Sequence, residues 1–555
     1  MSRSRRQFLR DTGLAALGTA AMACDSRTAS PAQQPPDSAE APQPTAAGGP
    51  TAFELDEITI DALQERLQSG QYSARRLTGL YLARTVALDQ QGPALHAVLE
   101  TNPDVARIAD DLDAERRTKG PRGPLHGIPI LIKDNIDTGD RMMTTAGSLA
   151  LEGVTRSQDA AIVRRLRQAG AIVLAKTNLS EWANFRSTRS TSGWSARGGQ
   201  CRNPYALDRS PCGSSSGTGA GVAANYAAAG IGTETDGSIV CPSSANSLVG
   251  LKPTVGLVSR SGIVPISHSQ DTAGPMARTV KDAAIVLNAI AGVDPDDAAT
   301  RRGGNRGSQD YTKFLDANGL KGARLGVPRK PFFGYNDATD RVITTALDDM
   351  RRLGAVIVDL PELPHAAELG DPEFELLLYE FRTGLERYFR GLPSGAPVKS
   401  LKDLIAFNDA HREREMPYFG QDILLMAQEK GPLTDQAYRR VQELLTRLSR
   451  REGIDAIMSQ HKLDALAAPT GNPPWPIDLV NGDHFVGSSS GPAAIAGYPA
   501  ISVPAGFVLG LPVGLSFFGR AFSEPTLLRL AYAYEQATKH RQPPRFLPTA
   551  DVGAV

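Results

Sequence analysis

The chain has 555 residues, with 60 Lys+Arg set against 60 Asp+Glu and a 41% hydrophobic share. That neutral balance gives nucleic acid and anionic membranes no electrostatic footprint, and no internal apolar run reaches the roughly 18 residues of a membrane span. Length alone suggests several domains, but nothing after residue 50 reads as a linker, which points to one large domain with a substantial core.

The N-terminus reads as a targeting segment. Ser4-Arg5-Arg6-Gln7-Phe8-Leu9 has the form of a twin-arginine export signal, and an apolar stretch too short to span a bilayer follows from Gly13 to Ala23. The spacing predicts a signal peptide over 1–24 and an exported, periplasmic protein; a chance basic tail is the alternative. Cys24 follows Ala21-Met22-Ala23, an imperfect lipoprotein processing site. Lipidation there would tether the protein to a membrane, ordinary cleavage would not, and spacing decides between them no further. Residues 25–50 are rich in Ser, Ala, Pro and Gln and carry too little apolar surface to fold, so a disordered linker is expected before a domain over 51–555.

Within that domain, Gly127 to Asn135 (GIPILIKDN) is an apolar, β-branched run of strand length that ends in Lys133. Burial disfavours a charged amine, so a lysine there can be pushed from its usual ~10.4 toward neutrality and become a base. A lysine that merely extends its head to water is the ordinary alternative. Residues 160–169 have helical apolar spacing ended by Gly170, and 171–175 read as a buried strand. The same helix–Gly–strand order recurs at 341–353 and 355–358. Strands alternating with helices predict an α/β domain with a central twisted, mixed β-sheet covered by helices on both faces. A mostly helical insertion is expected at about 373–450, walling a cleft.

Gly213 to Gly221 (GSSSGTGAG) and Gly232 to Ser238 (GTETDGS) concentrate Gly, Ser and Ala as few folding needs require. Glycine clusters mark tight turns or backbone close to a ligand, where N–H groups can face an anion and a serine can attack a carbonyl. Taken alone, Ser214 is equally a turn or capping residue. Gly213 to Gly217 also fits G-x-S-x-G with Ser215 central, and Gly487 to Gly491 fits it with Ser489 central, but serine-rich context makes such matches cheap. None of His268, His365, His411, His461, His484 and His540 has a neighbourhood that completes a Ser–His–Asp triad. P-loop, dinucleotide and H-E-x-x-H patterns are absent from the sequence, so no cofactor, metal or nucleic-acid partner is expected. Cys201, Cys212 and Cys241 are odd in number. A Cys201–Cys212 bridge stays open, while Cys241 is expected in small, buried packing.

Lys133 in GIPILIKDN, Ser214 in GSSSG and Ser238 in TETDGS together resemble the Ser–Ser–Lys constellation of the amidase signature family. Leu174 to Trp182 (LAKTNLSEW), Gly250 to Pro265, Asp271 to Ala284 and Gly510 to Arg520 resemble it in the same order, from about Phe53 to Pro548. Asp236, where many members have Gly, is similar to the bacterial peptide amidases, as are Tyr379 to Phe389 and Phe407 to Gln421. The resemblance implies the amidase signature fold, Ser238 as nucleophile, Ser214 as proton relay on a cis peptide bond, and Lys133 as base. Backbone N–H groups of Thr235, Asp236, Gly237 and Ser238 would hold the oxyanion. The implied substrate is a peptide or small-molecule amide, peptide C-terminal carboxamides first, with release of ammonia. Asp236 and Trp475, the latter in a Pro-rich loop (Pro473 to Pro476), are candidate substrate contacts. Amidases of broader or aryl and acyl specificity, and a catalytically silent binding protein, are the alternatives.

Overall fold

The computed structural model describes residues 53–551. The export-like segment, Cys24 and the 25–50 stretch lie outside the described residues. The strands in chain order are β1 (Val98–Thr101), β2 (Pro129–Lys133), β3 (Ile172–Thr177), the short pair β4 (Trp194–Ser195) and β5 (Gly199–Gln200), β6 (Ala229–Glu234), β7 (Val249–Lys252), β8 (Thr272–Ala277), β9 (Arg324–Lys330), β10 (Val356–Glu362), β11 (Ala465–Pro469), β12 (Ala500–Val508) and β13 (Leu511–Phe518). Among the described residues all but β4 and β5 join one eleven-stranded sheet, ordered β1-β3-β2-β6-β8-β7-β12-β13-β11-β9-β10. The sheet is mixed. β2 runs parallel to β3 and β6, and β9 parallel to β10 and β11, while β6–β8–β7–β12–β13–β11 is antiparallel throughout. Helices cover it, so β2, β3 and β6 are buried along their whole length, as their near-continuous apolar sequences require.

Sequence patterning locates the elements with small errors at their ends. The first expected helix spans Ala161–Gln168, with Ile162, Val163 and Leu166 buried; Gly170 then takes φ 82° and releases the chain into β3. The second spans Asp337–Arg352 and starts earlier than its apolar spacing implies. The Asn336 side chain caps it by accepting from the Thr339 N–H, and Asp337 and Asp340 favour its positive end. Helices Gly370–Arg390, Leu401–Ala410, Asp422–Gln428 and Gln436–Thr446 form a wall with its own apolar cluster around Phe381, Phe389, Leu404 and Leu424. That cluster continues into Ala146, Leu151 and Trp182, which joins the wall to the loops beyond β2 and β3. No helix among the described residues is long and apolar enough to cross a membrane.

Candidate active site

Lys133 closes β2 and is fully buried. Its Nζ lies 2.7 Å from Ser214 Oγ, 2.9 Å from Thr233 Oγ1 and 3.3 Å from the Thr233 carbonyl oxygen. All three partners are uncharged. Burial drives the amine down to about 7, with the Glu234 and Asp271 carboxylates pulling the other way. A neutral amine has two hydrogens and one lone pair, which suits two acceptors on Thr233 and one hydroxyl donor on Ser214. Thr233 Oγ1 also receives a hydrogen bond from Asn135 Nδ2 at 3.0 Å.

Ser214 is clamped beside the lysine through its own carbonyl, which accepts from the Ser180 N–H at 3.1 Å. The Gly213–Ser214 peptide is cis. The chain then turns into the buried helix Ser216–Ala223. Gly217 is required there: a Cβ would sit 2.2 Å from the Ala97 carbonyl oxygen and 2.6 Å from that of Asn178. Much of the glycine content therefore serves close helix–sheet packing rather than ligand approach. Ser215 is committed to the strand. Its hydroxyl donates to the Thr233 carbonyl at 3.1 Å and accepts from the Thr233 N–H at 3.2 Å, which leaves it no place in a Ser–His–Asp arrangement. Its N–H donates to the Ser238 carbonyl at 3.2 Å, so the two serine-bearing segments run side by side.

A covalent bond joins the same two segments. Cys212, two residues before Ser214, is bridged to Cys241, three residues after Ser238. This corrects the sequence expectation twice: the partner of Cys212 is not Cys201, and Cys241 is not a free packing residue. Cys201 is buried and unbridged. Sequence proximity misled because residues 201 and 212 are neighbours along the chain, whereas the loop before Ser214 and the helix Val240–Ala245 meet only in the fold. Trp475 packs on the bridge with Cys212, Cys241 and Ala245, donates its indole N–H to Asp483 Oδ1 at 3.0 Å and meets Phe485 edge-to-face.

The Thr235–Ser238 turn is held from behind. Glu234 Oε2 accepts the N–H groups of Ile239 and Val240 at 2.7 and 3.0 Å. Thr235 Oγ1 donates to Asp271 Oδ1 at 2.6 Å, and Asp271 Oδ2 accepts from the Ile266 and Ser267 N–H groups. Gly237 takes φ 80°, a left-handed conformation that folds the turn back toward Ser490. No hydrogen bond within the described residues takes up the N–H groups of Asp236, Gly237 or Ser238. The Asp236 carboxyl is exposed and borders Ser490 and Gly491, so the second G-S-S-S-G tract lies beside this turn. The surrounding protein still pushes that carboxyl upward, and nearby Glu234 adds to the shift.

A cavity of about 260 Å³ opens between residues 260–268 and the helix Gly370–Arg390, and reaches Asn135, Thr233 and Thr235. The structure thus brings Lys133, Ser214 and the Thr235–Ser238 turn into one place, and sets Trp475 behind it on the disulfide. Sequence reading overlooked Thr233, Asn135, Gln270 and Glu373. Thr233 stands inside the motif that was singled out, but only a folded strand shows its hydroxyl facing Lys133.

The Amidase family model matches residues 76–528 of the chain. The chain belongs to the amidase signature family. The native peptide amidase of Stenotrophomonas maltophilia superposes on it with a TM-score of 0.86 and 54% identity, over 89% of this chain and all of that one. A peptide amidase bound to the competitive inhibitor chymostatin gives the same TM-score and coverage at 55% identity. A probable amidase of Arabidopsis thaliana is 42% identical over 509 residues, 90% of this chain and 93% of its own length. This amidase therefore shares the mixed-sheet core of its relatives, and it is a hydrolase of amide bonds.

Proposed function

We propose that this amidase hydrolyses peptide C-terminal carboxamides to the free acid and ammonia through a Ser238–Ser214–Lys133 relay. The observation that carries the relay is a buried amine 2.7 Å from Ser214 Oγ with only neutral partners. The 55% identity to a peptide amidase supports the substrate class. Ser238 Oγ attacks the carboxamide carbon while its proton passes to Ser214 and that of Ser214 to Lys133. The oxyanion is met by N–H groups of the Thr235–Ser238 turn; loss of one such donor typically costs about 2.7–4 kcal/mol in kcat. The proton returns through Ser214 to the nitrogen, the C–N bond breaks and ammonia leaves. Water then attacks the acyl-enzyme by the same relay in reverse. Asp236 faces the substrate and favours a hydrogen-bond donor or cation over an anionic group beside the scissile amide.

Ammonia release from amidated peptides, aryl amides and simple amides tests this directly. A marked preference for amidated peptides is expected; equal turnover of simple amides would replace the substrate class and leave the relay standing. Export is the companion proposal, through the Arg5-Arg6 signal to the periplasm or to a lipid anchor on Cys24. The Cys212–Cys241 bridge supports it, since such bonds persist in oxidising compartments. Replacing both arginines with lysine should retain the protein in the cytoplasm, and fractionation reads the outcome.

A further inference from the structure

Gln270 is buried at 1% exposure on the far side of the Thr235–Ser238 turn. Its Nε2 donates to Glu373 Oε1 at 2.7 Å and, at 3.4 Å, to the Thr235 carbonyl oxygen. In a trans peptide unit the C=O and the next N–H point in opposite directions. A donor drawing the Thr235 carbonyl backward therefore turns the Asp236 N–H forward, to the side where the oxyanion forms. The Thr235 hydroxyl, tied to Asp271, fixes the same residue at a second point.

The orientation of the Gln270 amide decides whether this works. Rotated by half a turn, it would press an oxygen against the Thr235 carbonyl. Its Oε1 is buried and has no hydrogen-bond partner. The group beside it is Glu373, from the first turn of Gly370–Arg390, with its carboxyl held out of water. Burial, and then the charge of Asp236, push Glu373 well above the usual carboxylate range. A protonated carboxyl is both donor and acceptor, and a primary amide is its complement. Glu373 Oε1 holds the Gln270 amide nitrogen at 2.7 Å, on the side where that nitrogen also meets the Thr235 carbonyl.

We propose that Glu373, acting through Gln270, is a positioning residue for the oxyanion site: together they set the Thr235–Asp236 peptide so that the Asp236 N–H faces the developing charge. This rests on the Ser238 mechanism above. Four proteins test it, the wild type, Glu373→Gln, Glu373→Leu and Gln270→Leu, each checked for folding by circular dichroism and melting. Three quantities are read on an amidated dipeptide and its analogues: kcat with KM, affinity for a peptide aldehyde that adds to the nucleophile, and affinity for the product acid. Glu373→Gln keeps both donor and acceptor and should hold kcat within about threefold. The two leucine variants should lose roughly 10- to 100-fold in kcat and in aldehyde affinity, with KM and product-acid affinity little changed. If Glu373→Leu does not fold, Gln270→Leu carries the same test. Wild-type kcat in the leucine variants, equal loss of aldehyde and product-acid affinity, or a Glu373→Gln variant as poor as Glu373→Leu would each overturn the inference. Failure of the underlying mechanism is read separately, as retained hydrolysis in Ser238→Ala.

Discussion

Two fully buried lysines stand on neighbouring strands, and only one is suited to chemistry. The β2–β3 register pairs Ile132 with Lys176 and Lys133 with Thr177. Side chains alternate along a strand, so the two amines lie on opposite faces of the sheet. Lys176 donates to the Ile136 carbonyl and to Thr144 Oγ1, with the Asp134 and Asp137 carboxylates close by to offset its burial. Lys133 meets two hydroxyls and a carbonyl, and burial brings it near 7. Burial lowers both amines; four carboxylates (Asp134, Asp137, Asp140 and Glu100) oppose it at Lys176 and two (Glu234 and Asp271) at Lys133. That difference is why the base's part in the proposed relay goes to Lys133 and a charge-compensated structural part to Lys176.

The contrast can be broken at several points. The largest expected effect lies at the nucleophile end of the proposed relay, two steps from Lys133: Ser238→Ala should lower kcat for amide hydrolysis by at least about 10⁴-fold, read as ammonia release, with the melting curve nearly unmoved. Lys133→Ala should cost roughly 10³- to 10⁴-fold in kcat, while Lys176→Met should leave Asp134 and Asp137 with only Arg197 and Arg156 as counter-charges and destabilise the fold by about 3–5 kcal/mol in urea titration. Exchange of those two outcomes would invert the assignment. Replacing Cys212 and Cys241 together by serine removes a cross-link spanning 29 residues and should lower stability by about 3–4 kcal/mol; an unchanged denaturation midpoint would refute the tether.

The pH profile sharpens the comparison. In the proposed relay Lys133 accepts a proton only when neutral, so kcat/KM should fall about tenfold per unit below roughly pH 7 and level off above it. Lys133→Ala should remove that limb and Lys176→Met should keep it. The same depression makes the unfolded chain hold a proton that the folded one lacks between about 7 and about 10.4. Stability from this group therefore rises with pH across that window. The smallest effect belongs to Thr233→Val, which removes one acceptor from the Lys133 amine. It favours the neutral form slightly, so the acidic limb should move to lower pH while kcat drops by no more than about tenfold.

Much of this was legible before any coordinates. Helix–Gly–strand repeats suffice for the α/β layout, and an apolar β-branched run ending in lysine with two serine motifs leads to the segments from which the relay is proposed. What escaped depends on contacts between distant segments. Gln270 and Glu373 are 103 positions apart, and neither carries a local signal beyond being polar. The cysteines did carry one: Cys212 and Cys241 flank Ser214 and Ser238 at nearly matched offsets, and pairing by function rather than by nearness would have found the bridge. The glycines owe more to packing than to chemistry, because a helix lying against β2 and β6 needs bare backbone for steric reasons alone.

The Arg186 guanidinium is fully buried; it pairs with Glu181 at 2.6 Å and donates to the Glu415 and Phe419 carbonyls of the helical wall, and Glu415 in turn receives the Leu149 N–H. Swinging the wall away would strip the buried Glu415 of its partners and leave Arg186 with Glu181 alone, at a cost of several kcal/mol. Substrate therefore meets a groove already shaped, and selectivity for different side chains should evolve at the cavity lining between residues 260–268 and the helix Gly370–Arg390 before it evolves by hinged closure.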